Sequence, residues 1–269
     1  RVYYDSHEYF TEAEGLTGHP FKKRIWLRIE KWILPRLSNM YTVNESIASF
    51  YRDRYHIPVY VVRNVPPGRP LPPLKSRQEL GLPADKRLII LQGAYIDPDR
   101  GAREAVEAME FVDNALLMII GSGRDLPVVQ QMAAAPQLKD RVLFRPKLPF
   151  DELQQYTRQA DVGLTLDKPV HLNYTYSLPN KIFDYVHAGI PVVASRLPEL
   201  ERLINEYRIG ALVDEVTPQK IAAAINTVLS QPKSNWSDVL KQCAEANNWQ
   251  KESEIFTEIY RDLLSDTRA

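Results

Sequence analysis

Cysteine is almost missing from this chain of 269 residues, where Cys243 stands alone. A single cysteine excludes an intrachain disulfide and a cysteine-based metal site, and fits a reducing compartment. Long apolar runs are missing too: nothing approaches the roughly 18 residues that a membrane-spanning helix needs. An excess of one charge is also lacking, since Lys+Arg and Asp+Glu are equal at 34 each. No global field therefore draws nucleic acid or an anionic membrane, and no nucleic-acid reading module is present. Any anion must be held by local geometry. No Met and no signal-peptide pattern precede the apolar-aromatic stretch Val2-Tyr3-Tyr4, so the chain reads as a fragment cut within a larger fold.

What is present has the composition of an ordinary soluble globular protein, 44% hydrophobic and 25% charged. A proline cluster divides it: between Asn64 and Pro73 five residues lack an amide proton, so neither helix nor inner strand can run through. Residues 65–76 read as a stiff extended linker. Upstream, residues 1–64 hold strand-like pieces at 1–5, 39–43 and 59–62 and helices at 21–34 and 45–55, too little for an independent domain. Downstream, residues 77–247 alternate regularly, with apolar runs at 88–91, 116–120, 142–144, 162–166, 192–194 and 211–213 between helical segments. Thr217 is placed as cap and Pro218 as first residue of a helix over 218–230. Such alternation predicts an α/β fold with a Rossmann-like parallel sheet covered on both faces. Right-handed crossovers then put every strand-to-helix loop on one edge, where ligands bind. A final helix, 248–269, has Phe256, Ile259, Tyr260 and Leu263 on one face.

The chemistry concentrates in Tyr176-Ser-Leu-Pro-Asn-Lys-Ile-Phe-Asp-Tyr-Val-His-Ala-Gly-Ile-Pro-Val-Val-Ala-Ser195. It reads as a loop, a helix start, a short helix stopped by Gly189, and a buried strand. Free amides of Leu178, Asn180 and Lys181 near a helix start favour phosphate; Pro179 fixes the turn, and Lys181 adds positive charge beside it. Asp184, one turn in, can accept two hydroxyl hydrogen bonds, as from a ribose diol. The same string also suits a helix–strand unit that only contributes to a core.

This stretch resembles the Ser-x-Pro-x-Lys-x-x-(Glu/Asp)-Tyr signature of the large retaining GT-B glycosyltransferase family, the group 1 or family 4-like enzymes. The resemblance runs over almost the whole chain. It implies a GT-B fold: a nucleotide-sugar-binding domain at 77–247, an incomplete N-terminal α/β domain at 1–64, and a last helix crossing back to that domain. It also implies that Asp184 binds the donor ribose and that the loop with Ser177, Leu178, Pro179, Asn180 and Lys181 binds the diphosphate. Many members carry two glutamates with seven residues between them; here those places hold Tyr176 and Asp184, so the first is lost. Leu91-Gln-Gly-Ala-Tyr-Ile-Asp-Pro-Asp-Arg-Gly101 resembles the family's second phosphate-gripping loop. Gly93 makes its turn and Arg100 matches one of two expected cations, with Ala94 at the other. By the same resemblance Gly121 and Gly123 border the nucleotide, the run Phe144-Arg145-Pro146-Lys147, with Arg145 as the candidate contact, flanks the base, and His7 reaches the donor sugar from across the cleft.

Other strings carry less. Asp97-Pro98-Asp99 imitates a metal motif of a different glycosyltransferase fold but reads as a turn before a helix. Gly121-Ser-Gly123 lacks the third glycine of a dinucleotide fingerprint. His19, His56, His171 and His187 show no ligand spacing, and no metal site or cofactor is expected. Lys22, Lys23, Arg24, Arg28 and Lys31 surround Trp26 and Trp32 on the 21–34 helix. Either the aromatic side packs inward, or the helix is a membrane-surface face for a lipid-linked acceptor. The expected function is transfer of a sugar from a nucleoside-diphosphate donor to a glycan or lipid-linked hydroxyl, in the cytoplasm or at the inner membrane face. Arg100 and Lys181 would stabilise the leaving group, with His7 at the donor sugar. A non-catalytic donor-binding scaffold and a sugar-nucleotide epimerase remain the rivals.

Overall fold

The chain folds into two parallel β-sheets wrapped by helices; the computed structural model describes residues 2–265 except Thr17 and Arg69. The smaller sheet has the order β1 (Tyr4–Ser6), β2 (Met40–Thr42), β3 (Val59–Val61), with α1 (Pro20–Ile33) and α2 (Glu45–Tyr55) as its crossovers. The Asn44 side chain accepts from the Ile47 amide and so starts α2.

The larger sheet holds β4 (Arg87–Gly93), β5 (Ala115–Gly121), β6 (Val142–Arg145), β7 (Val162–Thr165), β8 (Val192–Ser195) and β9 (Gly210–Val213). Their order is β6-β5-β4-β7-β8-β9, and every pairing is parallel. Each apolar run in the downstream sequence is one of these strands, because a strand covered on both faces has no polar side to alternate with. The covering helices are α3 (Ala102–Ala108), α4 (Leu126–Ala133), α5 (Phe150–Thr157), α6 (Leu172–Thr175), α7 (Lys181–His187), α8 (Pro198–Tyr207), α9 (Pro218–Leu229) and α10 (Ser234–Ala246). Neither α6 nor α10 was expected from the sequence. Thr217 stands at the start of α9, but its hydroxyl makes no capping bond, so Pro218 at the first helical position is what marks that start.

The strand order reverses between β4 and β7, and this is where the fold opens. Those two strands pair only at Ile89–Val162 and Ile90–Gly163, then diverge. The fully buried Tyr185 of α7 fills the divergence: its hydroxyl donates to Leu164 O at 3.0 Å and accepts from the Gln92 amide at 3.2 Å. Gly163 admits the ring, since a Cβ there would lie 2.4 Å from Tyr185 Cγ.

Residues 62–76, Arg69 aside, form neither helix nor strand and lie against other elements. The Gln155 side chain accepts from the Lys75 amide, Arg158 donates to Pro72 O, and the Trp249 amide donates to Pro66 O at 3.2 Å. The last helix, α11 (Trp249–Ser265), then runs onto the smaller sheet. Tyr260 stacks on Tyr3 at 5.9 Å, Phe256 meets Tyr41 edge-on at 5.7 Å, and Glu252 accepts from the Arg63 amide at 2.8 Å. Leu263, assigned to the same face from the sequence, lies outside the described side chains.

The inward packing considered for α1 is not what the structure has. Phe21 is 73% exposed and Trp32 64%, with Ile25, Trp26, Ile29 and Ile33 also exposed. Glu30 is the residue that α1 buries; its carboxylate accepts from Tyr55 Oη at 2.8 Å and from Thr11 at 3.5 Å. That polar cluster sets the rotation of α1 and leaves its apolar stripe outward. Among the described residues, no helix is long and apolar enough to cross a membrane.

Replacing Gly163 by Ala should destabilise the chain by about 2–3 kcal/mol, because the Tyr185 ring has no room to retreat. Urea unfolding reads this as a lower midpoint with an unchanged slope; a midpoint equal to wild type would show that the ring is not wedged there.

Candidate functional site

Parallel strands deliver all their following loops to the carboxyl edge, and the order reversal leaves a crevice there between the loops after β4 and β7. A cleft of about 570 Å³ occupies it. Its walls include Gln92, Gly93 and Ala94 at the end of β4, Arg100 before α3, Gly121 at the end of β5, and Lys147 and Phe150 after β6. From α7 and the preceding turn come Pro179, Asn180, Lys181 and Asp184, and from across the gap His7 and Asn64.

Two cations meet one carboxylate on this wall. Arg100 Nη1 donates to Asp167 Oδ1 at 2.6 Å, and Lys181 Nζ stands 3.8 Å from Asp167 Oδ2. The Arg100 guanidinium also lies 4.2 Å from the centre of the Tyr174 ring, a cation–π contact. Asp167 is completely buried; Thr165 Oγ1 reaches its carboxylate at 3.4 Å and Ser195 Oγ donates to its main-chain carbonyl at 2.7 Å. Burial works against the charge of Asp167, but Lys181 and Arg100 outweigh it and hold the carboxyl below its ordinary range. Burial lowers the Lys181 amine; Asp167 opposes that shift and Arg100 adds to it.

Asp184 is a second, half-buried acid in the cleft. It accepts from Gln92 Nε2 at 3.2 Å, and Gln92 Oε1 in turn accepts from Thr157 Oγ1 at 2.8 Å. Burial pushes the Asp184 carboxyl up to about 6, with the Gln92 hydrogen bond pulling the other way. Gly189 ends α7 with φ of 74°, as its place in the sequence suggests. The amides of Leu178, Asn180 and Lys181 have no acceptor among the described residues.

A smaller pocket of about 160 Å³ adjoins the cleft and shares His7, Asn64, Arg100 and Asn180 with it. Ser177 and Leu178 line this pocket rather than the larger cleft. His7 Nε2 is 2.9 Å from Asp5 Oδ2, and its Nδ1 is 3.4 Å from Asn64 Nδ2. Two residues expected at the nucleotide do not line the cleft. Arg145 still belongs to the end of β6 and turns back to the Phe144 carbonyl at 3.1 Å, whereas Lys147, past the sheet edge, does line it. Gly123 serves packing: a Cβ there would fall 2.2 Å from Ile96 O. Tyr176 faces the smaller sheet, its ring 5.0 Å edge-on to Phe50 and its carbonyl accepting from Asn44 Nδ2 at 2.9 Å. Asp97 and Asp99 serve separate cations: Asp97 accepts from the Arg124 amide at 3.0 Å, and Asp99, at φ of 69°, faces Lys168 at 3.9 Å.

Asp167, Gln92 and Tyr174 were missed in the sequence, whereas Lys147 lies in the run expected to flank the base. Two of them carried a signal: Asp167 is the first charge after the apolar run 162–166, and Gln92 is the polar residue that directly follows the apolar run 88–91.

Comparisons with known proteins bear on the same elements. Residues 86–231 match the family described as Glycosyl transferases group 1. A D-inositol 3-phosphate glycosyltransferase from Acidothermus cellulolyticus is 29% identical over 228 residues, covering 77% of this chain and 49% of that protein. The chain thus spans about half the length of that curated relative. Among solved structures, sucrose-phosphate synthase from Thermosynechococcus elongatus superposes with a TM-score of 0.77 at 20% identity, over 98% of this chain and 68% of the other. Anabaena Alr3699/HepE, in complex with UDP and glucose, gives 0.74 at 15% identity, over 96% and 71%. These likenesses show the GT-B fold.

The raised Asp184 carboxyl has a stability consequence whose sign is definite. Its folded pKa, about 6, exceeds the ordinary 3.8, so ionisation opposes folding. The penalty is absent below the ordinary value, grows between the two, and is complete above about 6. Asp184→Asn should therefore raise stability above pH 7 by about 1–3 kcal/mol and leave it nearly unchanged near pH 4. Chemical denaturation at the two pH values checks this; equal shifts at both would contradict it.

Proposed function

This chain belongs to the group 1 glycosyl transferases, and from that premise we propose that its larger cleft binds a nucleoside-diphosphate sugar as glycosyl donor. The glycosyl group passes to a hydroxyl of a glycan or lipid-linked saccharide, with retention at the anomeric carbon. The observation that carries this reading is the convergence of Arg100 and Lys181 on one cleft wall with Asp184 beside them. Two fixed cations and free loop amides suit a diphosphate, because charge developing on the leaving group meets donors that are already oriented. The Asp184 carboxylate suits a ribose diol, which can donate two hydrogen bonds to it. His7, on the opposite wall, suits a contact with the donor sugar. We assign no side chain as general base; the departing phosphate takes the acceptor proton. The cations stand where a metal would otherwise neutralise the diphosphate, so we read the reaction as metal-independent and free of a cofactor.

The outward stripe of α1 supports a peripheral location for this chemistry. Exposed Phe21, Ile25, Trp26, Ile29 and Trp32 lie among Lys22, Lys23, Arg24, Arg28 and Lys31, a combination suited to an anionic lipid surface. It fits a cytoplasmic enzyme resting on the membrane that holds a lipid-linked acceptor.

Calorimetric titration with UDP, GDP and their sugars tests the donor site. One nucleotide family should bind, and Arg100→Ala or Lys181→Ala should each weaken it by roughly 10–100-fold, the loss of one charged hydrogen bond. If no nucleotide binds at millimolar concentration, the donor reading fails; if donor is interconverted without any acceptor, the chain is an epimerase instead. For the lipid contact, flotation with anionic vesicles should lose the protein when Arg24 and Arg28 become Glu. Equal recovery with purely zwitterionic vesicles would refute an electrostatic contribution.

A further inference from the structure

We propose that Asp167 is a positioning residue that holds Arg100 and Lys181 side by side as a preassembled cationic pair for the donor diphosphate. The proposal rests on the reading of the cleft as a donor site and adds what makes its two cations usable.

The layering of the wall is the primary observation. Arg100 and Lys181 line the cleft; Asp167 lines neither cavity and has no exposed surface. The carboxylate therefore sits behind the cations, bonded to Arg100 at 2.6 Å and 3.8 Å from Lys181. It is itself held: β7 delivers it, Thr165 reaches its carboxylate, and Ser195 of β8 bonds its main-chain carbonyl. A carboxylate fastened this way cannot swing out to meet a ligand. Its ion pairs are with these two cations.

Two neighbouring cations repel each other, and an empty site would let them splay or lose a proton. A buried anion shared by their charged heads offsets the repulsion before any ligand arrives, so binding requires little rearrangement. One negative against two positive charges leaves the Arg100–Lys181–Asp167 cluster itself with a surplus of one positive charge, next to Asp184 on the same wall. A purely structural ion pair would need only one cation; here one carboxylate serves two, brought from the loop before α3 and from the first turn of α7. Among the groups acting on the Lys181 amine, burial and Arg100 favour the neutral form, and Asp167 opposes them. Asp184 on the same helix, and His7 and Lys147 on other walls, also face the cleft into which Lys181 projects. Without the Asp167 charge, Lys181 gives up its proton more readily and the surplus falls as pH rises.

The test uses Asp167→Asn and two readings. The first is the titration of the Lys181 side chain, followed by NMR of isotope-labelled lysine without nucleotide and assigned with Lys181→Arg; its midpoint should move to lower pH in the variant. The second is calorimetry with UDP and with GDP between pH 7 and 9. The ratio of wild-type to variant affinity should grow about tenfold across that range, the effect of losing one proton-dependent charge, and binding to the variant should take up a proton. Asp167→Glu keeps the charge and should show a pH-independent ratio. An unchanged Lys181 titration, or an affinity loss equal at every pH, overturns the role of Asp167 while leaving the donor site standing. Failure of the wild type to bind either nucleotide overturns the donor reading, and this role with it. If Asp167→Asn does not fold, wild type and Asp167→Glu decide: a Lys181 amine that is neutral at pH 7 in wild type, or a Glu variant whose affinity ratio drifts with pH, refutes the proposal.

Discussion

Where β4 and β7 part company, the hydroxyl of Tyr185 takes over the work of a missing rung in the sheet. It accepts from the Gln92 amide and donates to Leu164 O, so the strands stay bridged by a side chain after their own pairing has ended. Much of the site follows from this. The ring needs Gly163 beneath it, which brings α7 down onto β7. With α7 seated, Asp184 comes within reach of the Gln92 side chain and Lys181 comes near Asp167. A crevice that strand order makes possible is thus given its depth by one buried phenol.

The larger sheet was legible in the sequence because its strands are buried on both faces and appear as uninterrupted apolar runs. The start and stop of α7 were legible too, through Pro179 and Gly189, which act locally. Asp167 was not. A lone acid after a strand looks the same whether it is solvated or buried, and its role depends on Arg100 and Lys181 arriving from elsewhere in the chain. The orientation of α1 escaped for a related reason. Periodicity shows that a helix has an apolar face but not which way that face points, and here the buried hydrogen bond from Tyr55 to Glu30 decides it. Arg145 and Lys147 illustrate the limit of a motif: two residues of register separate a side chain that folds back from one that lines the cleft.

The two sheets meet at the first turn of α2. Glu199 of α8 accepts from the Ser46 amide at 2.8 Å, Asn44 donates to Tyr176 O, and Phe50 packs on the Tyr176 ring. A free helix start is a natural partner for a carboxylate, so the larger sheet's helix supplies what α2 lacks. Tyr176, at a position where many relatives of this fold are expected to carry an acid, has become part of that junction. The turn that leads into α7 is consequently tied to the smaller sheet as well as to its own.

The bond between the Trp249 amide and the Pro66 carbonyl has a mechanical meaning. The chain passes between the two sheets twice, outward through the proline-rich stretch and back just before α11, and this bond brings the two crossings together. Two bodies stapled at distant points are rigid; stapled at neighbouring points they keep one axis of rotation, as a door does on closely set pins. Swinging about that axis would open or shut the space between His7 and Asn180 without stretching either strap, and the polar contacts around Ser46 and Tyr176 would act as the catch.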